Sequence, residues 1–276
     1  MSIWEIIAEA KSRASSCSNL TEQERLQKLA ESENAMVGSK NLTDGYNCDI
    51  CKNRGYIIKT VESDGMWENV QCTCKCERSR KSIRNLKASG LANVIDYYRF
   101  DNFKATEEWQ KGMYELAKTF STALDSNEWL FMGGQSGSGK THLCSAAAIE
   151  LLRRGKEVKY MLWRDESRKI KDDNFNGGKL IEYYKDVEVL YIDDLFKTGK
   201  AYGDEVQKPT AGDINLAFEI VNSRVAQKKK TIISSESTIF ELFDIDEAVA
   251  GRIKQMCGAY CISISKDAGK NYRKRF

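Results

Sequence analysis

The chain has 276 residues, 41% hydrophobic and 30% charged, with 43 basic against 40 acidic side chains and a net charge of +3. That is the balance of a soluble globular protein, long enough for one domain of ordinary size and a smaller appendage. No apolar run reaches the roughly 18 residues that span a bilayer, and MSIWEIIAEAKSR lacks the basic start and apolar stretch of a secretion signal, so no membrane partner is expected and the default location is cytoplasmic.

Taken in order, residues 3–13 and 21–36 read as two short helices, the second opened by the capping pattern Thr21-x-x-Glu24. Trp4, Ile6, Ile7 and Leu26 are apolar contacts there, for a partner or for the module itself. Residues 45–76 are rich in turn formers and carry five of the nine cysteines. Residues 77–89 read as a basic helix ended by Gly90. Residues 91–106 read as a linker in which Tyr97, Tyr98, Phe100 and Phe103 are buried anchors, and a helix follows at 107–124. From Trp129 the rhythm changes. Apolar runs at 129–134, 158–163, 187–193, 230–235 and 260–265 alternate with helices at 140–154, 165–171, 176–185, 211–227 and 246–256. Such alternation predicts an α/β fold, a parallel sheet with helices on both faces. The domain reading is 1–90 as a helical and zinc-ribbon-like N-terminal domain, 91–106 as linker and 107–276 as the catalytic domain.

The cysteine spacing carries chemistry. Cys48-Asp-Ile-Cys51 is a CxxC knuckle, and twenty residues on comes Cys72-Thr-Cys74-Lys-Cys76. In a cytosolic chain such clusters read as metal ligands. Two half-sites flanking a hairpin suit a tetrahedral, structural Zn²⁺ site. Cys48, Cys51, Cys74 and Cys76 are the expected ligands, with Cys72 the alternative for the second pair. Cys17, Cys144, Cys257 and Cys261 are expected to be small packed residues.

GGQSGSGKTH contains Gly134-x-x-x-x-Gly139-Lys140-Thr141 between a strand and a helix, the context of a phosphate-binding P-loop. The glycines let the backbone N–H groups of Gly134, Gln135, Ser136, Gly137, Ser138 and Gly139 curl around phosphates. Lys140 adds a point charge, Thr141 a hydroxyl for Mg²⁺, and the helix start a favourable dipole. The ligand expected is Mg-ATP. His142 ends this run; it packs on the helix and is given no catalytic role. VEVLYIDD places Asp193 at a strand end to hold Mg²⁺ and Asp194 to activate water, a helix N-cap being the plainer use of Asp194. Ser235, at the end of TIISSE, is a candidate for sensing the terminal phosphate, beside Ser234 and Glu236; a mere strand end is the alternative. Arg252 is a candidate arginine finger acting on a neighbour's site, against an intrachain ion pair, and Arg224 is a weaker second. Arg273 in NYRKRF would contact phosphate in cis or lie in a surface tail.

Together GQSGSGKTHL, VLYIDDLF and TIISSESTIFELFDIDEAVAGRI resemble the DnaC/DnaI-type loaders of replicative helicases, within the AAA+ class. CDICKNRGY…CKCERSRKSIRNLKASGL and RFDNFKATEEWQ resemble versions from low-GC Gram-positive bacteria and their phages, so the resemblance spans about residues 45–276. It implies an ATPase with weak, switch-like hydrolysis that binds the hexameric replicative DNA helicase through its N-terminal region, helps place that ring on single-stranded DNA, and self-associates head to tail through its ATP sites. The chain runs only a short way past the last strand, so the helical lid of larger AAA+ proteins is expected to be missing. Two departures stand out. Many relatives carry Asn where this chain has Glu236 beside Ser235, and the 197–212 loop is long. The rival readings are an IstB-type transposition helper, which shares the core, and an ATP-gated adaptor with negligible hydrolysis.

Overall fold

The computed structural model describes residues 20–86, 96–172, 177–197 and 208–272, the side chains of 85–86 excepted. The expected helix at 3–13, Cys17, Gly90, Arg273 and residues 198–207 of the long loop lie outside them. The chain divides into two units, Met1–Arg80 and Lys81–Phe276.

In the first unit, α1 (Glu22–Ala35) starts at the capping box that the sequence announced, with Thr21 and Glu24 satisfying one another's backbone N–H groups. A short α2 (Lys40–Asp44) follows. Then β1 (Tyr56–Ser63) and β2 (Met66–Thr73) form an antiparallel hairpin. Its turn is Asp64-Gly65, both at positive φ, the backbone that lets two residues join twisted strands. Asn34 fastens α1 to the hairpin: its amide donates to Ile58 O at 2.8 Å and accepts from Ile58 N at 2.9 Å. Helix α3 (Cys76–Leu86) begins at the last cysteine. From it, Arg80 donates to both oxygens of Asp44, at 2.6 and 2.8 Å, and to Asn53 Oδ1 at 2.9 Å, all but withdrawn from solvent.

The second unit begins within α3 and, after a linker whose described part holds the 3₁₀ turn Phe100–Asn102, continues with α4 (Glu108–Thr122). Next come β3 (Leu130–Gly134), α5 (Lys140–Arg153), β4 (Val158–Leu162), α6 (Trp163–Asp172), α7 (Gly177–Asp186) and β5 (Val189–Asp193). Then α8 (Ala211–Ala226), β6 (Lys230–Ser234), α9 (Ile239–Ile245), α10 (Glu247–Cys257) and β7 (Cys261–Ile264) complete it. All five strands run parallel in the order β4-β5-β6-β3-β7. Every residue of β3, β5 and β6 is buried, as a parallel sheet covered on both faces requires. Helix α5 packs closely because Ala146, Ala147 and Ala148 are small. After β7 the described chain makes only the 3₁₀ turn Ala268–Lys270, so the described residues hold no helical lid.

Three expectations need correction. The linker aromatics are not core anchors: Tyr97 is 66% exposed, and Tyr98, Phe100 and Phe103 are only half-buried. Helix α9 was not foreseen, although Thr238 and Glu241 form a capping box at its start. Arg224 cannot serve a neighbouring subunit, because it is fully buried. It shares the inward face of α8 with Leu216, Ala217, Ile220 and Val221. Its guanidinium donates to the carbonyls of Tyr184, Lys185, Val187 and Lys230 and to Thr231 Oγ1, stapling the ends of α7, α8 and β6.

Replacing Arg224 with Met leaves several buried carbonyls without donors, each costing on the order of 1 kcal/mol or more. Urea unfolding followed by tryptophan fluorescence should show a loss of roughly 3 kcal/mol or more. An unchanged midpoint would contradict the staple.

Candidate functional site

The phosphate loop is built by backbone constraint. Gly134 sits at φ +100°, where a side chain would collide with the Ile264 carbonyl of β7. Gly139 sits at φ +94°, and a Cβ there would stand 2.7 Å from the Phe103 ring. Gly139 also caps α5 with no side-chain hydrogen bond, so the first N–H groups of the helix face outward for an anion. Residues 136–142 line a cavity of about 350 Å³, together with Tyr97, Tyr98, Phe103, Asp194, Lys197 and Glu236. Gly134 and Gln135 form the base of the loop. Lys140 Nζ donates to their carbonyls, at 2.8 and 2.6 Å, and burial pushes its pKa down.

The corrected linker finds its place here. His142 donates from Nε2 to Arg99 O at 2.8 Å, with the rings of Tyr97, Tyr98 and Phe103 within about 6 Å of its own. Burial lowers its pKa, which keeps a neutral, apolar wall at one end of the cavity. These aromatics were visible in the sequence, but their spacing suggested core packing and not a pocket wall.

Asp193 ends β5, 4% exposed, and gathers hydroxyls from four elements. Thr141 donates at 3.2 Å, Tyr160 and Tyr191 at 2.9 Å each, and Ser234 through a short contact. Thr141 and Asp193 converge side by side, a hard-oxygen pair of the kind that holds Mg²⁺. Tyr160 and Tyr191 went unnoticed in the sequence. Their signal was two tyrosines in otherwise aliphatic strands, paired in register across β4 and β5. Asp194 follows at φ +57°, in a turn closed by the Lys197 N–H bonding its carbonyl at 2.9 Å. Burial raises its pKa, which Lys197 partly offsets.

Ser235 does not enter the cavity. Its hydroxyl is buried and donates to Leu195 O at 2.9 Å, while Glu236, the next residue, lines the cavity. Arg252 lies outside the cavity too. On α10 it bonds Asn222 Oδ1 and Ala248 O, both at 3.0 Å, and covers the Phe218 ring, a surface position with no reach to this chain's own phosphate loop.

In the first unit, Cys48, Cys51, Cys74 and Cys76 are buried with their sulfurs within 4.8 Å of one another. Cys48–Cys74 and Cys51–Cys76 are 3.8 and 3.5 Å apart. A ZnS₄ tetrahedron with Zn–S near 2.3 Å has edges of about 3.8 Å, so the four fit the metal. Left-handed Lys52 and Asn53 turn the knuckle, and Gly55 N–H donates to Cys51 Sγ at 3.2 Å. Cys72, on β2, stays outside the set and is half-buried.

The family described as IstB-like ATP binding protein matches residues 67–253. The chain belongs to this family. Among relatives of this AAA+ ATP-binding protein, the phage-like element PBSX protein XkdC of Bacillus subtilis (strain 168) is 32% identical over 229 residues, 79% of this chain and 82% of that protein. The replicative helicase loader DnaC of Escherichia coli (strain K12) is 27% identical over 196 residues, 67% of this chain and 76% of the loader. A crystal structure of the DnaC helicase loader shares the fold with a TM-score of 0.51 at 19% identity, covering 61% of this chain and 96% of the other. No helix among the described residues is long and apolar enough to cross a membrane.

Metal analysis of the purified chain should return one zinc per molecule. Cys74→Ser should abolish retention and loosen the first unit, while Cys72→Ser should keep both metal and fold. Loss of zinc in Cys72→Ser would assign the ligands differently.

Proposed function

We propose that this chain is an ATP-driven loader of a hexameric replicative DNA helicase, in which weak ATP hydrolysis times the release of the partner. The observation that carries the reading is the joining, in one AAA+ chain, of a complete phosphate-loop and acidic-strand pair to a four-cysteine module. The similarity to a replicative helicase loader supports it. On this reading the first 90 residues dock the helicase, residues 91–106 link, and residues 107–276 bind nucleotide. The basic stretch at 78–87 meets phosphate of single-stranded DNA or the helicase surface. Copies associate through their ATP sites, with Arg252 reaching a neighbour's nucleotide.

The geometry supports the following roles. Residues 134–140 bind the phosphates. Thr141 and Asp193 hold Mg²⁺, which neutralises phosphate charge when bound. Asp194 takes a proton from the attacking water as that oxygen bonds the γ-phosphorus. The bond from the γ-phosphorus to its bridging oxygen breaks, and ADP leaves. An IstB-type transposition helper is the second reading, favoured by the family match itself. ATP-dependent filaments on duplex DNA, without helicase binding, would select it.

Native mass measurement of the chain mixed with its cognate helicase and ATP tests the loader reading. A complex that forms with ATP and dissolves after hydrolysis is expected; absence of any complex in either nucleotide state would sink it. Lys140→Ala should abolish ATP binding. Asp194→Asn should keep binding, cut turnover by about 100-fold or more, and trap the complex.

The pH dependence has a definite sign. A general base acts in its ionised form, and burial raises the Asp194 pKa. Turnover should therefore fall on the acid side at a higher pH than an ordinary aspartate would give. A profile flat down to the ordinary aspartate range would exclude Asp194 as base.

A further inference from the structure

The residue that the sequence left without a role is Lys197. The turn that carries it is firmly placed. Phe196, itself at φ +60°, is buried and meets Trp163 edge to face at 5.6 Å. That anchor directs the next side chain into the cavity lined by residues 136–142. There Lys197 Nζ bridges Asp194 Oδ2 at 2.9 Å and Glu236 Oε1 at 3.0 Å. Glu236 in turn hydrogen-bonds Ser136 of the phosphate loop. One ammonium group thus ties the end of the β5 turn, the end of β6 and the phosphate loop together.

Stability does not account for this trio. Lys197 is 35% exposed and Glu236 42%, and ion pairs of that exposure contribute about 0–1 kcal/mol. The arrangement also works against catalysis as it stands. A carboxylate that accepts a charged hydrogen bond from an ammonium group is a poor base, because the bond favours its ionised form. Lys197 must leave Asp194 before that side chain can take a proton from water. An anion drawn into the same space provides the competing partner. The terminal phosphate of a nucleoside triphosphate extends one phosphoryl group further along the loop than that of a diphosphate. Among the described residues, the other cations are poorly placed to bridge Asp194 and Glu236. Lys140 serves the loop, Lys104 sits on the exposed linker next to Phe103, and Arg224 and Arg252 do not line the cavity.

We propose that Lys197 is a phosphate sensor acting in cis: its ammonium group exchanges Asp194 and Glu236 for the terminal phosphate of a bound nucleoside triphosphate, which frees Asp194 only when that phosphate is present. The proposal rests on the reading of this site as an ATPase centre. It makes Lys197 the residue that tells triphosphate from diphosphate, a task for which the described chain offers no lid residue.

Calorimetry of the full chain with Mg²⁺ and either ADP or a non-hydrolysable ATP analogue tests it. A charge-assisted hydrogen bond is worth about 1.5–3 kcal/mol, or roughly 10- to 100-fold in affinity. Lys197→Met should weaken the analogue by about 10-fold or more and leave ADP within about 2-fold, and Lys197→Arg should keep most of the preference. Glu236→Gln, which leaves Lys197 in place and removes its competitor, should strengthen the analogue relative to ADP; this arm holds even where Lys197→Met fails to fold. An unchanged ratio in Lys197→Met, or a lowered one in Glu236→Gln, overturns the sensor. A wild-type chain that binds neither nucleotide removes the ATPase reading and the sensor with it. Wild-type binding that Lys140→Ala abolishes, with the ratio untouched by Lys197→Met, removes the sensor alone.

Discussion

A carboxylate withdrawn from water loses several kcal/mol of hydration unless donors replace it. At Asp193 the replacement comes from four hydroxyls on α5, β4, β5 and β6. No cation is among these partners. The elements that flank the phosphate loop are therefore tied to one acidic group. The register follows, since Leu162 pairs with Asp193 and Tyr160 with Tyr191 across β4 and β5. A slip of one residue between β4 and β5 would turn the Tyr160 hydroxyl away and cost the carboxylate one of its four donors.

That arrangement separates two neighbouring acids by environment. Burial, with Asp193 beside them, raises the pKa values of Tyr160 and Tyr191, so both remain protonated donors. Asp193 is fixed by these donors, and on the proposed reading it holds a metal with Thr141 once the Thr141 hydroxyl turns from Asp193 to the ion. Asp194 is one residue further on, in a left-handed turn, and faces the cavity with Lys197 as its charged partner. Its backbone N–H donates to Ser234 Oγ at 3.0 Å, so the same serine that feeds Asp193 also pins the strained turn. Backbone strain of this kind persists where the surroundings over-determine it.

What could be read from the sequence was whatever depends on local spacing. The phosphate loop, the alternation of strands and helices, the hairpin between the cysteine pairs and the CxxC knuckle each specify their own backbone within a few residues. What failed depended on direction. Strand β6 is buried on both faces, so no alternation of polar and apolar residues shows which of Ser234, Ser235 and Glu236 faces the loop. Arg224 looked like a surface finger because arginine is seldom buried, yet it continues the spacing of Leu216, Ile220 and Val221 on α8. Sequence alone places the linker aromatics in a core, because nothing in it tells apolar packing from the wall of a ligand cavity. The sequence already prefers Cys74 over Cys72; in the structure β2 ends at Thr73 and Cys74 joins the cluster of four sulfurs.

The lack of a lid in the described chain shifts the charge problem onto side chains of the core. At the phosphate end of the cavity, Lys140 and Lys197 offset Asp194 and Glu236, so the site itself is close to neutral. Binding of a polyphosphate then leaves an excess of negative charge at an open surface, even after a divalent cation shares it. A neutral site has little long-range pull on a neighbour, and screening over about 10 Å removes what remains. On the proposed reading, a nucleotide-loaded site attracts an arginine presented by another copy. Arg252, held on α10 by Asn222 and stacked on Phe218, is already ordered for such a contact. Its side chain therefore loses little conformational freedom when it meets a partner. On the proposed reading, the nucleotide acts first as charge: it draws Lys197 away from the base within one chain and draws Arg252 in from the next. Hydrolysis, by shortening the polyphosphate, reverses both.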